Sequence, residues 1–241
     1  MISWEVLVQA ARRSQTTELN IVREYCQHLF LSAVYQEKGS ERVMFKGGTA
    51  LRILYGSPRF SEDLDFSGFR TGAREMENYV ASGARELERN EIPVSLAESK
   101  KTSGGYLAIL TCEVRDLPVR IQVEVSLRRR NDQKGRGVLV TPEFLPAYTL
   151  TQLPEGLLVE EKLNALGTRG KPRDYFDLYF MLRRGLVPTD MKSHLIEAKN
   201  SLIASKLNFG RDLTPFLPRS SATVAKDLRN ALLEELQRHG V

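Results

Sequence analysis

Two short stretches carry the residue types that chemistry at phosphorus requires. Gly47 and Gly48 follow the apolar run Val43-Met44-Phe45 and precede Thr49-Ala50-Leu51. Adjacent glycines permit positive φ and let a ligand come close to the backbone. The pattern from Thr49 to Tyr55 predicts a helix with Ala50, Leu51, Ile53 and Leu54 inward. Its first turn offers unpaired N–H groups and the positive end of the helix dipole, which together favour a phosphate. Asp63 and Asp65 then lie two apart on a short predicted strand, so both carboxylates share one face while Leu64 and Phe66 take the other. A lone Gly-Gly is usually a turn, and a lone Asp-x-Asp is usually a solvated strand edge. A phosphate cradle followed by paired carboxylates is a rarer combination. It points to metal-assisted phosphoryl chemistry, because Mg²⁺ is held by one or two carboxylates plus substrate phosphates.

The elements that must position these groups are legible from periodicity. Arg42 to Lys46 suits a buried strand, and Gly56 with Pro58 ends the helix that follows the glycines. Ser3 can cap a helix over Trp4 to Arg13, and Thr16 or Thr17 can cap the next one. In that second helix Leu19, Val22, Cys26, Leu29, Phe30 and Ala33 form a core stripe. Ala73 to Asn90 reads as a helix with Met76, Tyr79, Val80, Ala84 and Leu87 on one face. Strand character begins at Val94. Tyr106 to Val114, the turn Asp116-Leu117-Pro118, and the alternating Val119 to Leu127 read as an antiparallel hairpin. Val138 to Thr141 is a short strand at most. The proline-rich Thr141 to Pro154 reads as a connection, which puts a domain boundary near Tyr148. Residues 1–148 then form an α/β domain with a mixed sheet, and residues 149–241 a helical C-terminal domain. In the latter, Leu157 to Leu166 is a helix stopped by Gly167, and Pro172 opens another that runs to Arg184. Further helices are expected around Asp190 to Ser205 and Ala222 to His239.

The stretch Gly47-Gly48-Thr49-Ala50-Leu51 and Arg59-Phe60-Ser61-Glu62-Asp63-Leu64-Asp65-Phe66 resembles the signature of the AbiEii/AbiGii-type nucleotidyltransferase toxin family, in the polymerase-β-like nucleotidyltransferase superfamily. A second segment resembles that family's downstream motif, a Lys-bearing helix followed by Lys/Arg-x-Arg-Asp-x-x-Asp-Leu. The matching positions are Lys162, Lys171, Arg173, Asp174 and Asp177. From the residues alone, Asp174 and Asp177 suit the positive end of a helix dipole, and Lys162 snorkels from an apolar face.

The resemblance implies an α/β nucleotidyltransferase domain with a helical C-terminal domain and the active site between them. It implies transfer of a nucleoside monophosphate from an NTP to an acceptor hydroxyl, with pyrophosphate released. By the resemblance, Asp63 and Asp65 hold one or two Mg²⁺ ions (or Mn²⁺). Superfamily sites place a third carboxylate on a neighbouring strand, and Glu124, on the polar face of Val119 to Leu127, is the candidate. Gly47, Gly48 and Thr49 bind phosphates through N–H groups and a hydroxyl. Arg59 and Ser61 either assist there or brace the loop. Lys162 contacts the triphosphate, Asp174 is a functional acid at the site, and Asp177 supports it or holds the basic residues. The expected setting is a toxin–antitoxin or phage-defence system, with tRNA as acceptor and a separately encoded antitoxin as restraint. A small-molecule nucleotidyltransferase of the aminoglycoside-modifying kind, a kinase-like NTP-dependent toxin, and a non-catalytic nucleotide- or RNA-binding module are the alternatives.

Composition sets the outer bounds. The chain has 241 residues, a formal charge of +5 and 41% hydrophobic residues. That balance is ordinary for a globular protein, and its mild basicity permits a polyanionic partner. Three scattered histidines argue against a zinc site or a His-based triad. The two cysteines, Cys26 and Cys112, fit buried free thiols of a reducing compartment. No run of apolar residues is long enough to span a bilayer, and no signal peptide is apparent, so the expected location is cytoplasmic. The densest basic cluster, Arg128-Arg129-Arg130 with Lys134 and Arg136, reads either as a backbone contact for nucleic acid or triphosphate or as a solvated loop.

Overall fold

The short strand β1 (Val43–Lys46) lies inside a seven-stranded mixed sheet, and its sequence explains why. Val43, Met44 and Phe45 are all buried, as a strand covered on both faces requires. This computed structural model describes residues 2–127 and 134–241. Before β1 come α1 (Trp4–Arg13) and α2 (Glu18–Val34). After it come α3 (Gly47–Tyr55), β2 (Asp63–Gly68), α4 (Ala73–Arg89), β3 (Val94–Thr102), β4 (Gly105–Val114), β5 (Leu117–Ser126), β6 (Arg136–Val140) and β7 (Tyr148–Gln152). The remainder is helical: α5 (Glu155–Arg169), α6 (Pro172–Arg183), α7 (Lys192–Ala204), α8 (Phe209–Leu213), α9 (Ala222–Lys226) and α10 (Leu228–Arg238). The result is a mixed α/β fold.

The strand order is β3-β4-β5-β2-β1-β7-β6. β2 is antiparallel to β1 and parallel to β5, and β7 is parallel to β1. β3, β4 and β5 form an antiparallel meander, and β6 pairs antiparallel with β7. Helices α2 and α4 pack on each other and on the β3–β5 side of the sheet. Period-2 burial along β5, with Val119, Ile121, Val123 and Val125 inward, leaves Arg120 and Glu124 on the open face.

The chain forms two compact units: residues 1–56 with 60–154, and residues 57–59 with 155–241. The division falls after Pro154, beyond the boundary expected near Tyr148. Tyr148 to Gln152 is a sheet strand: Tyr148, Leu150 and Gln152 are buried and alternate with Thr149 and Thr151, and all five residues pair with β6. The prolines around it misdirect a reading based on turn residues alone. Two further differences concern helix ends. α3 begins at Gly47, with Gly47 at φ +84°, rather than at Thr49. α5 runs through Gly167 to Arg169, and Gly170, at φ +51°, ends it. A mid-helix glycine costs only about 1 kcal/mol, which packing of Leu158, Val159, Leu163 and Leu166 offsets. Cys26 and Cys112 are buried and unbridged. Among the described residues no helix is long and apolar enough to cross a membrane. Arg128 to Arg130 lie outside the described residues; Lys134 is exposed and Arg136 opens β6.

Candidate active site

In the first unit, register brings the acidic residues together. Lys46 pairs with Asp65 across β1 and β2, and Asp65 pairs with Glu124 across β2 and β5. Asp63, two residues earlier on β2, faces the same side opposite Gln122. Asp65 is half-buried and Glu124 exposed. Glu124 is steadied along its own strand: the Gln122 side-chain amide donates to its carboxylate, and Arg120 Nη2 donates to Gln122 Oε1 at 2.5 Å.

Gly47 sits against Asp65. A Cβ at Gly47 would lie 2.7 Å from Asp65 Cγ, and the positive φ there already disfavours a side chain. The start of α3 therefore meets the Asp65 carboxylate directly, where the helix dipole favours the anion. Thr49 is buried, and its hydroxyl donates to the Asp63 carbonyl at 2.5 Å. That bond ties α3 to β2 and commits the hydroxyl to bracing the strand of the two aspartates. Ser61 offers its carbonyl, not its hydroxyl, to the same framework. Gln27 of α2, 2% exposed, donates from Nε2 to the carbonyls of Ser61 and Glu62 at 3.0 and 3.1 Å. Arg23, one turn earlier, reaches Glu62 at 3.2 Å. Burial lowers the Arg23 pKa, and the charges of Glu62 and Asp63 oppose that shift. Gln27 and Arg23 escaped the sequence reading. The only signal available was two long polar residues, four apart, beside an otherwise apolar helix stripe.

An ion held here would meet oxygen donors. Asp63, Asp65 and Glu124 form a set suited to a hard cation such as Mg²⁺, which completes its shell with phosphate oxygens and water. Among the described residues, no group of three or more His, Cys, Asp or Glu stands where it could together hold a metal ion.

In the second unit three expected residues meet in the interior. Arg59 is 4% exposed and Asp177 1%. Arg59 Nε and Nη2 bind the two Asp177 oxygens at 2.8 and 2.9 Å, and Lys162 Nζ binds Asp177 Oδ2 at 2.7 Å. Burial raises the Asp177 pKa, but the two cations overcome it and hold it down to about 2. One carboxylate thus serves two cations, leaving one net positive charge in the cluster. These bonds tie Arg59 to α6. Asp174 is equally buried but belongs to another pair. Its oxygens receive Arg169 at 2.7 and 2.9 Å and the Lys171 N–H at 3.0 Å, as a cap on α6.

Residues 29–239 match the profile of the family described as nucleotidyl transferase AbiEii toxin, type IV TA system. Solved structures share the fold. JHP933 from Helicobacter pylori is 18% identical with a TM-score of 0.66, covering 93% of both chains. The nucleotidyltransferase toxin MenT4 from Mycobacterium tuberculosis H37Rv is 16% identical with a TM-score of 0.68, covering 99% of this chain and 93% of that one. No functionally curated protein matches the sequence. With the family profile spanning most of its length, the chain belongs to the AbiEii nucleotidyltransferase toxins of type IV toxin–antitoxin systems.

Proposed function

We propose that this toxin transfers a nucleoside monophosphate from an NTP to a terminal hydroxyl of an RNA, with tRNA as the acceptor class, in a Mg²⁺-dependent reaction in the cytoplasm. The family implies an NTP substrate and an antitoxin partner. The observation that carries the finer reading is the register that sets Asp65 beside Glu124, with Asp63 on the same face. An acceptor oxygen attacks the α-phosphorus, the bond from that phosphorus to the α–β bridging oxygen breaks, and pyrophosphate leaves with the bond's electrons. Glu124, exposed on the same face, completes the carboxylate set and favours loss of the acceptor proton. Asp63 and Asp65 would hold Mg²⁺, which would supply Lewis-acid stabilisation of the charge on the phosphoryl oxygens.

The remaining residues position and neutralise. Gly47 and Gly48 present backbone N–H groups at the α3 start, while Thr49 holds that start to β2. Lys162 gives one of its three N–H donors to Asp177, which leaves two that a phosphate oxygen could take. Asp174 acts through Arg169 and the α6 cap, as a positioning residue. Phosphoryl transfer depends chiefly on positioning and charge, which suits a site without nucleophilic Ser, Cys or His.

The test is to incubate the purified protein with Mg²⁺, each labelled NTP and total tRNA. Label should enter RNA and pyrophosphate should appear, and Asp65→Ala should lose the activity. Release of nucleoside diphosphate with label in protein identifies a kinase-like toxin. Transfer to an aminoglycoside but not to RNA identifies a small-molecule enzyme. Absence of turnover with every NTP, identical in wild type and Asp65→Ala, identifies a binding module.

A further inference from the structure

Past Asp65 and Glu124 the open face of the sheet continues to the β3–β4 turn, and there the first unit holds a cavity of about 360 Å³. Lys46, Asp65 and Glu124 form one end, Leu107 and Ser126 lie along it, and Thr102 and Ser103 of the turn form the other end. Pairing fixes the order across the sheet: Lys46 opposite Asp65, Asp65 opposite Glu124, Glu124 opposite Leu107, Leu107 opposite Lys100. The volume is near the lower end of the roughly 300–1,000 Å³ that small-molecule sites occupy. It suits one nucleoside.

Position decides which reactant enters. The glycine start of α3 follows Lys46 and meets the Asp65 carboxylate at the β1 edge of the cavity. A triphosphate at that helix start lies on the β1 side of Asp65, whereas the cavity extends away over β5 and β4. The group that enters it meets Glu124, the carboxylate assigned to the acceptor proton. The lining chemistry fits a nucleoside. Leu107 is a half-buried apolar floor for a ring. Thr102, Ser103 and Ser126 carry hydroxyls that both donate and accept. Beyond the turn, a second hollow of about 340 Å³ shares Thr102, Ser103 and Gly104 and adds Lys101. The near end, where Lys46 stands beside the Asp65 and Glu124 carboxylates, suits an uncharged ribose, whereas exposed Lys101 in the second hollow suits the phosphate of a preceding nucleotide.

We infer that this cavity seats the terminal nucleoside of a single-stranded RNA end, its ribose hydroxyl toward Glu124, while the preceding nucleotide crosses the β3–β4 turn into the second hollow. The inference rests on the transfer reading proposed above, and it assigns Thr102 and Ser103 as acceptor-specificity residues of that site.

The experiment measures two affinities on the full chain. The probes are a short fluorescent oligoribonucleotide with a free 3′-hydroxyl, followed by anisotropy, and a non-hydrolysable NTP with Mg²⁺, followed by calorimetry. Ser103→Trp fills the cavity and Thr102→Glu adds a repelling charge. Both residues are exposed at a turn, and unchanged circular dichroism melts verify folding. Both variants should weaken the oligoribonucleotide by about tenfold or more while NTP affinity stays within about twofold. Unchanged oligoribonucleotide affinity, an equal loss of NTP affinity, or a wild type that does not bind the oligoribonucleotide each overturns the assignment. Label transfer is scored in parallel. A wild type whose oligoribonucleotide binding depends on Ser103 and Thr102, yet which adds no nucleotide to any RNA, overturns the transfer reading and leaves the RNA-end site standing. Transfer into RNA that is insensitive to both variants does the reverse.

Discussion

At the scale of single residues, Asp177 shows how a carboxylate can matter without touching a reactant. It is buried between Arg59 and Lys162 and accepts hydrogen bonds from both. Asp177→Asn removes the negative charge that faces both buried cations. Removing one member of a buried charge network costs about 3–5 kcal/mol, so chemical denaturation should show a loss of that size. The same group sets an acid limit. Its pKa is depressed from 3.8 to about 2 in the folded chain, so its contribution is present above the unfolded value and is lost as pH falls through the folded one. A wild-type stability profile should therefore lose about 2 kcal/mol between roughly pH 4 and pH 2, and Asp177→Asn should lose markedly less over that window. Asp65 belongs to the chemistry instead. Asp65→Asn keeps the shape and removes the charge, so transfer should fall more than about a hundredfold with the thermal midpoint nearly unchanged. A parallel loss of folding would move Asp65 from chemistry to structure.

At the scale of elements, the aspartate strand is held from two sides by helices. α3 holds it through Thr49 and the glycine start, and α2 holds the loop before it through Gln27. Gly47→Ala brings a methyl group against the Asp65 carboxylate at a backbone conformation that alanine resists. Its expected signature is lost transfer in a protein whose circular dichroism spectrum is native. A Gly47→Ala protein with wild-type turnover would show that the close approach has no part in the site. Gln27→Leu leaves the Ser61 and Glu62 carbonyls without their buried donor and should cost about 1–3 kcal/mol. Because the loop feeds Asp63, kcat should fall more than KM for NTP; a rise in KM alone would place the effect elsewhere. Much of this element-level organisation was readable beforehand. α1 was expected and found over the same residues, α2 begins behind Thr17, and the β4–β5 hairpin has the expected alternation. Each of these signals lies within a single element, in a period or a cap. β7 was missed because its five residues are flanked by prolines, and only its pairing with β1 and β6 defines it.

At the scale of the whole molecule, the second unit borrows Ser57 to Arg59 from a point in the chain nearly a hundred residues earlier. A fragment of residues 155–241 therefore lacks the bidentate partner of Asp177. It should melt without a cooperative transition where the intact chain gives one, as thermal circular dichroism can show. The overall charge of +5 adds a second expectation at this scale. If the acceptor is a polyanion, its affinity should fall linearly with the logarithm of salt concentration. A salt-independent affinity would count against contact with an RNA backbone.

By itself, the sequence determined the chemistry on offer. Gly47-Gly48, Asp63-x-Asp65, and the Lys162 to Asp177 segment stand in fixed order, and local periodicity places them on a strand, at a helix start and on two helices. Such features depend on neighbours a few residues away, which is the range that spacing reports. Tertiary structure alone decided which of these residues meet. Strand register set Glu124 beside Asp65 and Gly47 against its carboxylate. Long-range packing gave Arg59 to Asp177, sent Asp174 to Arg169, and turned the Thr49 hydroxyl to the Asp63 carbonyl. A buried polar group must find a partner, and the partner that satisfies it is set by how distant elements pack, which no local pattern encodes.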